Sequence, residues 1–139
     1  MTPKTPYLTV DGIIEYQDNE EKSIILIERK NPPHGWAFPG GFVDYGESVE
    51  DALIREMKEE TNLDISIVKL LGVYSDPNRD KRMHTVSVVY VVKGSGNLKA
   101  KDDAKNTILV SLDKVKDYNL VFDHKKIFKD YIKNKNYAN

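Results

Sequence analysis

Between residues 41 and 63 the chain sets Gly41, Glu47, Arg55, Glu56, Glu59, Glu60, Asn62 and Leu63 at spacings that build a helix and then charge it against itself. Glu59 and Glu60 follow Glu56 by three and four residues, which puts all three carboxylates on one helical face within about one turn. Val49, Ala52, Leu53 and Met57 form an apolar stripe on the same segment. The helix is therefore expected to lie on a sheet with its glutamates facing away. Like charges so placed cost an isolated helix ~0.2–0.5 kcal/mol per pair. A divalent cation removes that cost, and carboxylate oxygens suit hard Mg2+ or Mn2+ with coordination positions left for water and phosphate. A solvated, salt-bridged helix face is the plain alternative, but it does not account for the Pro39-Gly40-Gly41 bend in front.

The flanking chain alternates strand and loop. Leu8 to Tyr16 reads as a strand, Gln17 to Lys22 as a polar turn, and Ser23 to Arg29 as a second strand whose run Ile24-Ile25-Leu26-Ile27 is buried on both faces. Asn31 to Gly35 is a loop, Trp36 to Phe38 a short extended piece, and Pro39-Gly40-Gly41 a bend that few other residues make. Ser48, with Asp51 three residues on, is a capping-box-like start, so the helix is expected over Val49 to Thr61. Asn62 follows it as the best non-glycine residue for a left-handed position. The glycine-led helix N-terminus offers free N–H groups that would orient a phosphate beside the metal. Ile65 to Ser75 and Thr85 to Lys93 are strand-like around a charged loop from Asp76 to His84. A polar loop from Gly94 to Asn106, a strand from Thr107 to Leu112, a weak helix around Asp113 to Tyr118 and a firmer one from Asp123 to about Asn134 complete the chain. Strands on both sides of one central helix, with a terminal helix on the other face, predict an α/β/α sandwich with a mixed central sheet.

The 139 residues suit one domain, 1–139, with a single ordinary core. A net charge of −1 gives no basic footprint for nucleic acid; the lysines from Lys125 to Lys135 read as the solvated side of the terminal helix. The absence of cysteine excludes disulfides, thiolate catalysis and thiolate zinc sites. No stretch approaches the roughly 18 consecutive apolar residues of a membrane helix, and residues 1–6 lack the apolar region of a secretion signal. A cytoplasmic location is the expectation.

Written as Gly-x5-Glu-x7-Arg-Glu-Met-x-Glu-Glu-x-Asn-Leu, the segment resembles the signature of the Nudix hydrolases, enzymes that cleave a nucleoside diphosphate linked to another group. Met57 and Asn62 depart from the commoner smaller aliphatic and glycine. The resemblance implies the same α/β/α fold. It also implies that the carbonyl of Gly40 joins Glu56 and Glu60 as ligands of Mg2+, for which Mn2+ can substitute, with Glu59 a less certain third. By the same resemblance Glu47 is a ligand of a second metal or an orienter of the helix, and Arg55 pairs with a glutamate to hold the cluster. The implied reaction is substitution at phosphorus by water, whose proton goes to Glu59, Glu60 or a loop acid. Asp102-Asp103 resembles the Asp-Asp-Ala stretch that many members hold over the site, so Asp103 is either catalytic or part of a solvated turn.

Ser75-Asp76-Pro77-Asn78-Arg79-Asp80-Lys81-Arg82 resembles the Ser-Asp-Pro-x-Arg-Asp-x-Arg stretch of ADP-ribose pyrophosphatases. Arg79 and Arg82 are then candidates for the substrate's phosphates or terminal ribose, against the reading of exposed loop charges. Arg29 is a further phosphate candidate. Trp36 and Phe38 either stack on adenine or pack the loop. The three histidines are too scattered for a triad, and His124 reads as capping and packing at the start of the last helix. The expectation is a Mg2+-dependent hydrolase of a small nucleotide, ADP-ribose to AMP and ribose 5-phosphate, without nucleic-acid or membrane partners. The alternatives are a triphosphate pyrophosphatase that removes damaged nucleotides and an inactive nucleotide sensor. The sequence leaves the oligomeric state open; the resemblance allows a homodimer, since ADP-ribose members are commonly dimers, and the apolar strand near Val86 to Val92 could support one.

Overall fold

Ser23, Ile24, Ile25 and Leu26 are buried in succession, as a strand with no polar side requires, and this obliges the sheet to carry cover on both faces. The structure, a computed structural model, describes residues 2–18, 21–99 and 106–137. Its strands are β1 (Tyr7–Asp18), β2 (Glu21–Glu28), β3 (Trp36–Ala37), β4 (Gly40–Phe42), β5 (Asp64–Tyr74), β6 (Thr85–Ser95) and β7 (Asn106–Ser111). Helix α1 (Val49–Thr61) follows β4, a short 3-10 helix (Leu112–Asp117) follows β7, and α2 (His124–Tyr137) closes the chain.

The sheet order is β3-β2-β1-β6-β5, with β4 paired to β1 and β7 to β2; among these described strands β1 and β6 are the parallel pair. On one face Ile13, Leu26, Phe38 and Val91 pack with Val115 of the 3-10 helix and Ile127 and Tyr131 of α2. On the other, Val10, Ile14, Ile25 and Val92 pack with Ala52, Leu53 and Met57 of α1. The expected α/β/α sandwich with a mixed sheet is present. Each fully buried aliphatic or methionine side chain contributes roughly 1.5–3 kcal/mol, so both helices are held chiefly by their apolar stripes.

Helix α1 spans the expected Val49–Thr61. Ser48 accepts from the Asp51 amide, and Asn62 ends the helix at φ 67° with its N–H on the Lys58 carbonyl. The polar segment expected as a turn is instead mostly ladder: Gln17 pairs with Lys22 and Asp18 with Glu21. Antiparallel backbone bonds continue to the hairpin tip whatever the side-chain polarity. The expected dimer surface on β6 is corrected as well. β6 is bonded on both edges, to β1 and β5, and its Val89, Val91 and Val92 belong to the two cores.

The site is positioned by a fork. Along one edge β1 pairs first with β4, Thr9 to Asp11 opposite Phe42 to Gly40, and only further on with β2, Glu15 to Asp18 opposite Ile24 to Glu21. β2 meanwhile pairs its far end, Ile27 and Glu28, with β3, and Ser23 to Glu28 with β7. In the gap the Gly12 amide donates to the Pro39 carbonyl at 2.9 Å.

Candidate active site

Helix α1 crosses β4 closely enough that the glycines there are a matter of clearance. A Cβ on Gly41 would sit 2.5 Å from the Glu56 carboxyl, and one on Gly40 would overlap Asp11 and the Val10 carbonyl. Neither glycine adopts the left-handed conformation, so the bend is not what demands them. This close approach turns Glu60 inward, where it accepts from the Gly40 amide at 3.3 Å. The glutamates therefore do not all face away from the sheet: Glu56 and Glu60 turn toward β4, and Glu59 alone is largely exposed.

Arg55 organises the acidic group. It donates to Glu47 from Nε at 2.8 Å and from Nη2 at 2.9 Å, to Glu56 from Nη1 at 2.9 Å, more loosely to Glu59 at 3.4 Å, and to the Phe42 carbonyl at 3.2 Å. The Arg55 bonds, with one from the Asp44 amide, hold the Glu47 carboxyl down at about 2. Glu47 thus serves Arg55 and the turn before the helix. Burial pushes Glu56 up despite Arg55, and burial together with the charge of Glu56 pushes Glu60 up to about 9. Two partly buried carboxyls facing each other, with an arginine on one only, form an all-oxygen pair short of positive charge, which fits a hard divalent cation. Among the described residues no three acidic or imidazole side chains converge to hold an ion by themselves. The Gly40 position beside Glu60 is where a backbone oxygen would complete the set.

Across β4 from this pair lies a cleft of about 260 Å³, lined among others by Asp11, Phe38, Gly40, Arg29, Arg82 and Phe122. Cavities of about 350 Å³ around Glu15, Lys93 and Lys135 and of about 620 Å³ around Tyr74, Asp76 and Asp130 are larger; neither is lined by Gly40 or Gly41, the glycines that lie against Glu60 and Glu56, whereas the smaller cleft is lined by both. Arg29 donates from Nε to the Pro33 carbonyl at 3.0 Å and from Nη2 to that of Pro32 at 3.4 Å. Arg82 grips Asp80 at 3.0 and 2.8 Å. Both guanidinium groups lie over the Phe122 ring, at 4.9 and 5.2 Å from its centroid.

Other expected positions are corrected. Arg79 lines the cleft but is spent internally: it is buried, bonded twice to Asp123 at 2.9 and 2.7 Å and to Thr85 at 2.6 Å. Burying a guanidinium requires a carboxylate, and Asp123 supplies it. Trp36 packs edge-on against Tyr118 at 5.2 Å and lies outside the cleft lining. Phe38 does line the cleft, but it is buried and stacked on His124 at 5.1 Å. The helix N-terminus is not beside the glutamate pair either. Ser48 and Glu60 are about 18 Å apart along the axis, and the first turn carries Glu50 and Asp51, which repel phosphate. Asp103 lies outside the described residues.

Three contributors escaped the sequence reading. Asp11 is buried on β1, accepts from Ser87, and adds to the negative field at Glu60; a lone carboxylate inside Val10-Asp11-Gly12-Ile13 was its signal. His124 does not cap its own helix through its side chain: its Nδ1 accepts from the Phe38 amide at 3.1 Å. Burial holds it below its ordinary pKa, so it remains neutral and fixes the chain entering Pro39-Gly40. Phe122 opens the Phe122-Asp123-His124 triplet, which resembles one that many family members place at the start of the last helix, but its ring's place in the cleft had no signal.

An arginine-clamped acidic helix facing a glycine strand, beside a cleft lined by Arg29, Arg79 and Arg82, is an arrangement suited to hydrolysis of phosphoanhydrides. A NUDIX domain model matches residues 6–131, and the chain belongs to the Nudix hydrolase family. It is 50% identical over 134 residues to an ADP-ribose pyrophosphatase of Methanocaldococcus jannaschii, covering 94% of this chain and 76% of that one. The NUDIX domain of Shewanella oneidensis NrtR, solved with ADP ribose, superposes with a TM-score of 0.84 at 25% identity, over 94% of this chain and 89% of that one. A bifunctional NMN adenylyltransferase/ADP ribose pyrophosphatase from Francisella tularensis, solved with AMP and a Mn ion, gives a TM-score of 0.82 at 27% identity over 96% of this chain. This chain spans only 43% of that one.

Proposed function

We propose that this Nudix hydrolase cleaves the pyrophosphate bond of ADP-ribose, giving AMP and ribose 5-phosphate. The 50% identity to an ADP-ribose pyrophosphatase over nearly the whole chain carries the substrate. The reaction rests on the partly buried Glu56–Glu60 pair. Glu56, Glu60 and the Gly40 carbonyl would hold Mg2+, or Mn2+ in its stead, with Glu59 and Glu47 at the edge of the set. Such an ion neutralises charge developing on phosphate oxygens and makes water acidic enough to attack at neutral pH.

The chain's own residues supply the rest. Arg55 aims Glu56 and opposes the rise that burial gives its carboxyl, Arg29 and Arg82 offer donors to phosphate, and Phe38 closes the floor of the cleft. Glu59, the exposed carboxylate of the helix, accepts the proton of the attacking water, a role that Glu60 or Asp103 would fill otherwise. Among the described residues no helix is long and apolar enough to cross a membrane; a cytoplasmic enzyme acting on a free nucleotide, as a homodimer, is the setting we propose.

The test is turnover of ADP-ribose against a panel of nucleoside triphosphates with Mg2+, with Mn2+ and with chelator. Release of AMP from ADP-ribose at a kcat/KM well above that for any triphosphate is expected, with none in chelator. Triphosphates turned over far better than ADP-ribose would sink the assignment. No turnover of either would point to a nucleotide sensor.

A further inference from the structure

Phe122 has a backbone φ of 57°, in the left-handed region that a bulky side chain rarely adopts. Strain of this kind persists only where the surroundings hold it, and it gathers at functional sites. Here it is held from both sides. Val121 donates to the Trp36 carbonyl at 2.9 Å, Asp123 grips Arg79, and His124 takes the Phe38 amide. The turn aims the ring into the cleft, where Arg29 comes from the end of β2 and Arg82 from the loop before β6.

Two cations on one ring repel unless something holds them. Burial, and next to it the charge of Arg82, lower the pKa of Arg29, so each cation feels the other. The negative ring face offsets part of that repulsion. Asp80 neutralises Arg82, whereas Arg29 meets only proline carbonyls and has no carboxylate ion pair among the described residues. A guanidinium carries five N–H donors, and the bonds to Pro33, Pro32 and Asp80 leave several on both arginines. The result is a pair of anchored arginines with unspent donors, of which Arg29 feels the charges of Asp80, Glu60 and Asp11 without an ion pair among the described residues.

We propose that Phe122 is a positioning residue that sets substrate specificity, its ring holding Arg29 and Arg82 side by side as a two-armed receptor for the phosphate farther from the acidic helix. The inference rests on the reading that the cleft takes a pyrophosphate-linked substrate. It makes the diphosphate, not the terminal sugar, the group these arginines select.

The test is calorimetric titration of inorganic pyrophosphate in excess EDTA at low salt, where the metal contributes nothing. The parent protein binds. Phe122→Gly, which accepts the left-handed φ without strain but has no ring, binds at least tenfold more weakly, with an unchanged or raised Tm. Phe122→Leu keeps the bulk without the π face and is weakened alike, so the comparison survives if the glycine variant misfolds. Phe122→Tyr stays within threefold of the parent. Added to the double variant Arg29→Ala, Arg82→Ala, the leucine change costs less than twofold more, because the ring acts through the two arginines. Pyrophosphate affinity within twofold of the parent in a folded Gly or Leu variant, or a parent that does not bind pyrophosphate, overturns the proposal. Failure of ADP-ribose as substrate would be seen separately, in the turnover assay, and leaves the pyrophosphate titration standing.

Discussion

Arg55 holds Glu47 through two hydrogen bonds, Nε to Oε2 at 2.8 Å and Nη2 to Oε1 at 2.9 Å, and its remaining arm meets Glu56 at 2.9 Å. One planar cation thus fixes the turn before α1 to the acidic face near the end of it. A lysine has the charge but not the fork.

Arg55→Lys is therefore expected to lower kcat/KM by about 10- to 100-fold, the usual effect of removing a group that orients metal ligands. The loss should appear as weaker Mg2+ activation in a metal titration, with Tm little changed because Arg55 is partly exposed and screened by solvent.

Gly40 and Gly41 fail differently when a methyl is added. At Gly41 the new Cβ meets the movable Glu56 carboxyl at 2.5 Å, so Gly41→Ala should fold, with Mg2+ activation weakened. At Gly40 it meets the Val10 backbone carbonyl as well as Asp11, which has nowhere to go. Gly40→Ala should cost about 1–3 kcal/mol in urea unfolding.

Glu60 sets a pH dependence for the metal-free protein. Burial first, then the charge of Glu56, raises its carboxyl from the ordinary 4.5 to about 9. Between those values the folded protein binds more protons than the unfolded chain. Its contribution is complete below about pH 4.5 and is lost as pH rises toward 9. Thermal melts in EDTA from pH 5 to 9 should fall more steeply for the parent than for Glu60→Gln. Mg2+, bound by the folded state alone, should raise the parent's Tm most at the alkaline end. Glu56→Gln and Glu60→Gln should each abolish turnover with the fold intact.

Arg79 is expected to matter for stability before it matters for substrate. Its side chain is 4% exposed and bridges to Asp123 at 2.7 Å, and Arg79→Ala leaves that carboxylate unpaired. A loss of about 3–5 kcal/mol in urea unfolding follows. The loop carrying Arg82 should loosen with it, so KM for ADP-ribose rises too. A variant that melts like the parent would return Arg79 to the candidates for direct substrate contact.

Local patterns were legible where local physics decides. The bounds of α1 follow from Ser48, the apolar stripe and Asn62, each acting within one turn of the chain. The double-sided burial of β2 follows from four consecutive apolar residues and dictated covering layers on both faces. The acidic cluster was likewise visible in the sequence, because repulsion among Glu56, Glu59 and Glu60 depends only on helical spacing.

Direction and partnership were not legible, because they depend on contacts between residues far apart in the chain. Glu60 turns inward only because α1 is laid against Gly40, and Arg79 is consumed only because the start of α2 brings Asp123 to it, 44 residues later. Short-range pattern was enough to specify an acidic helix on a covered sheet and the Nudix signature that it carries. The pairing of Arg79 with Asp123, and the placing of Phe122 beneath Arg29 and Arg82, came only with the fold, since the partner that meets a guanidinium is delivered from elsewhere in the chain.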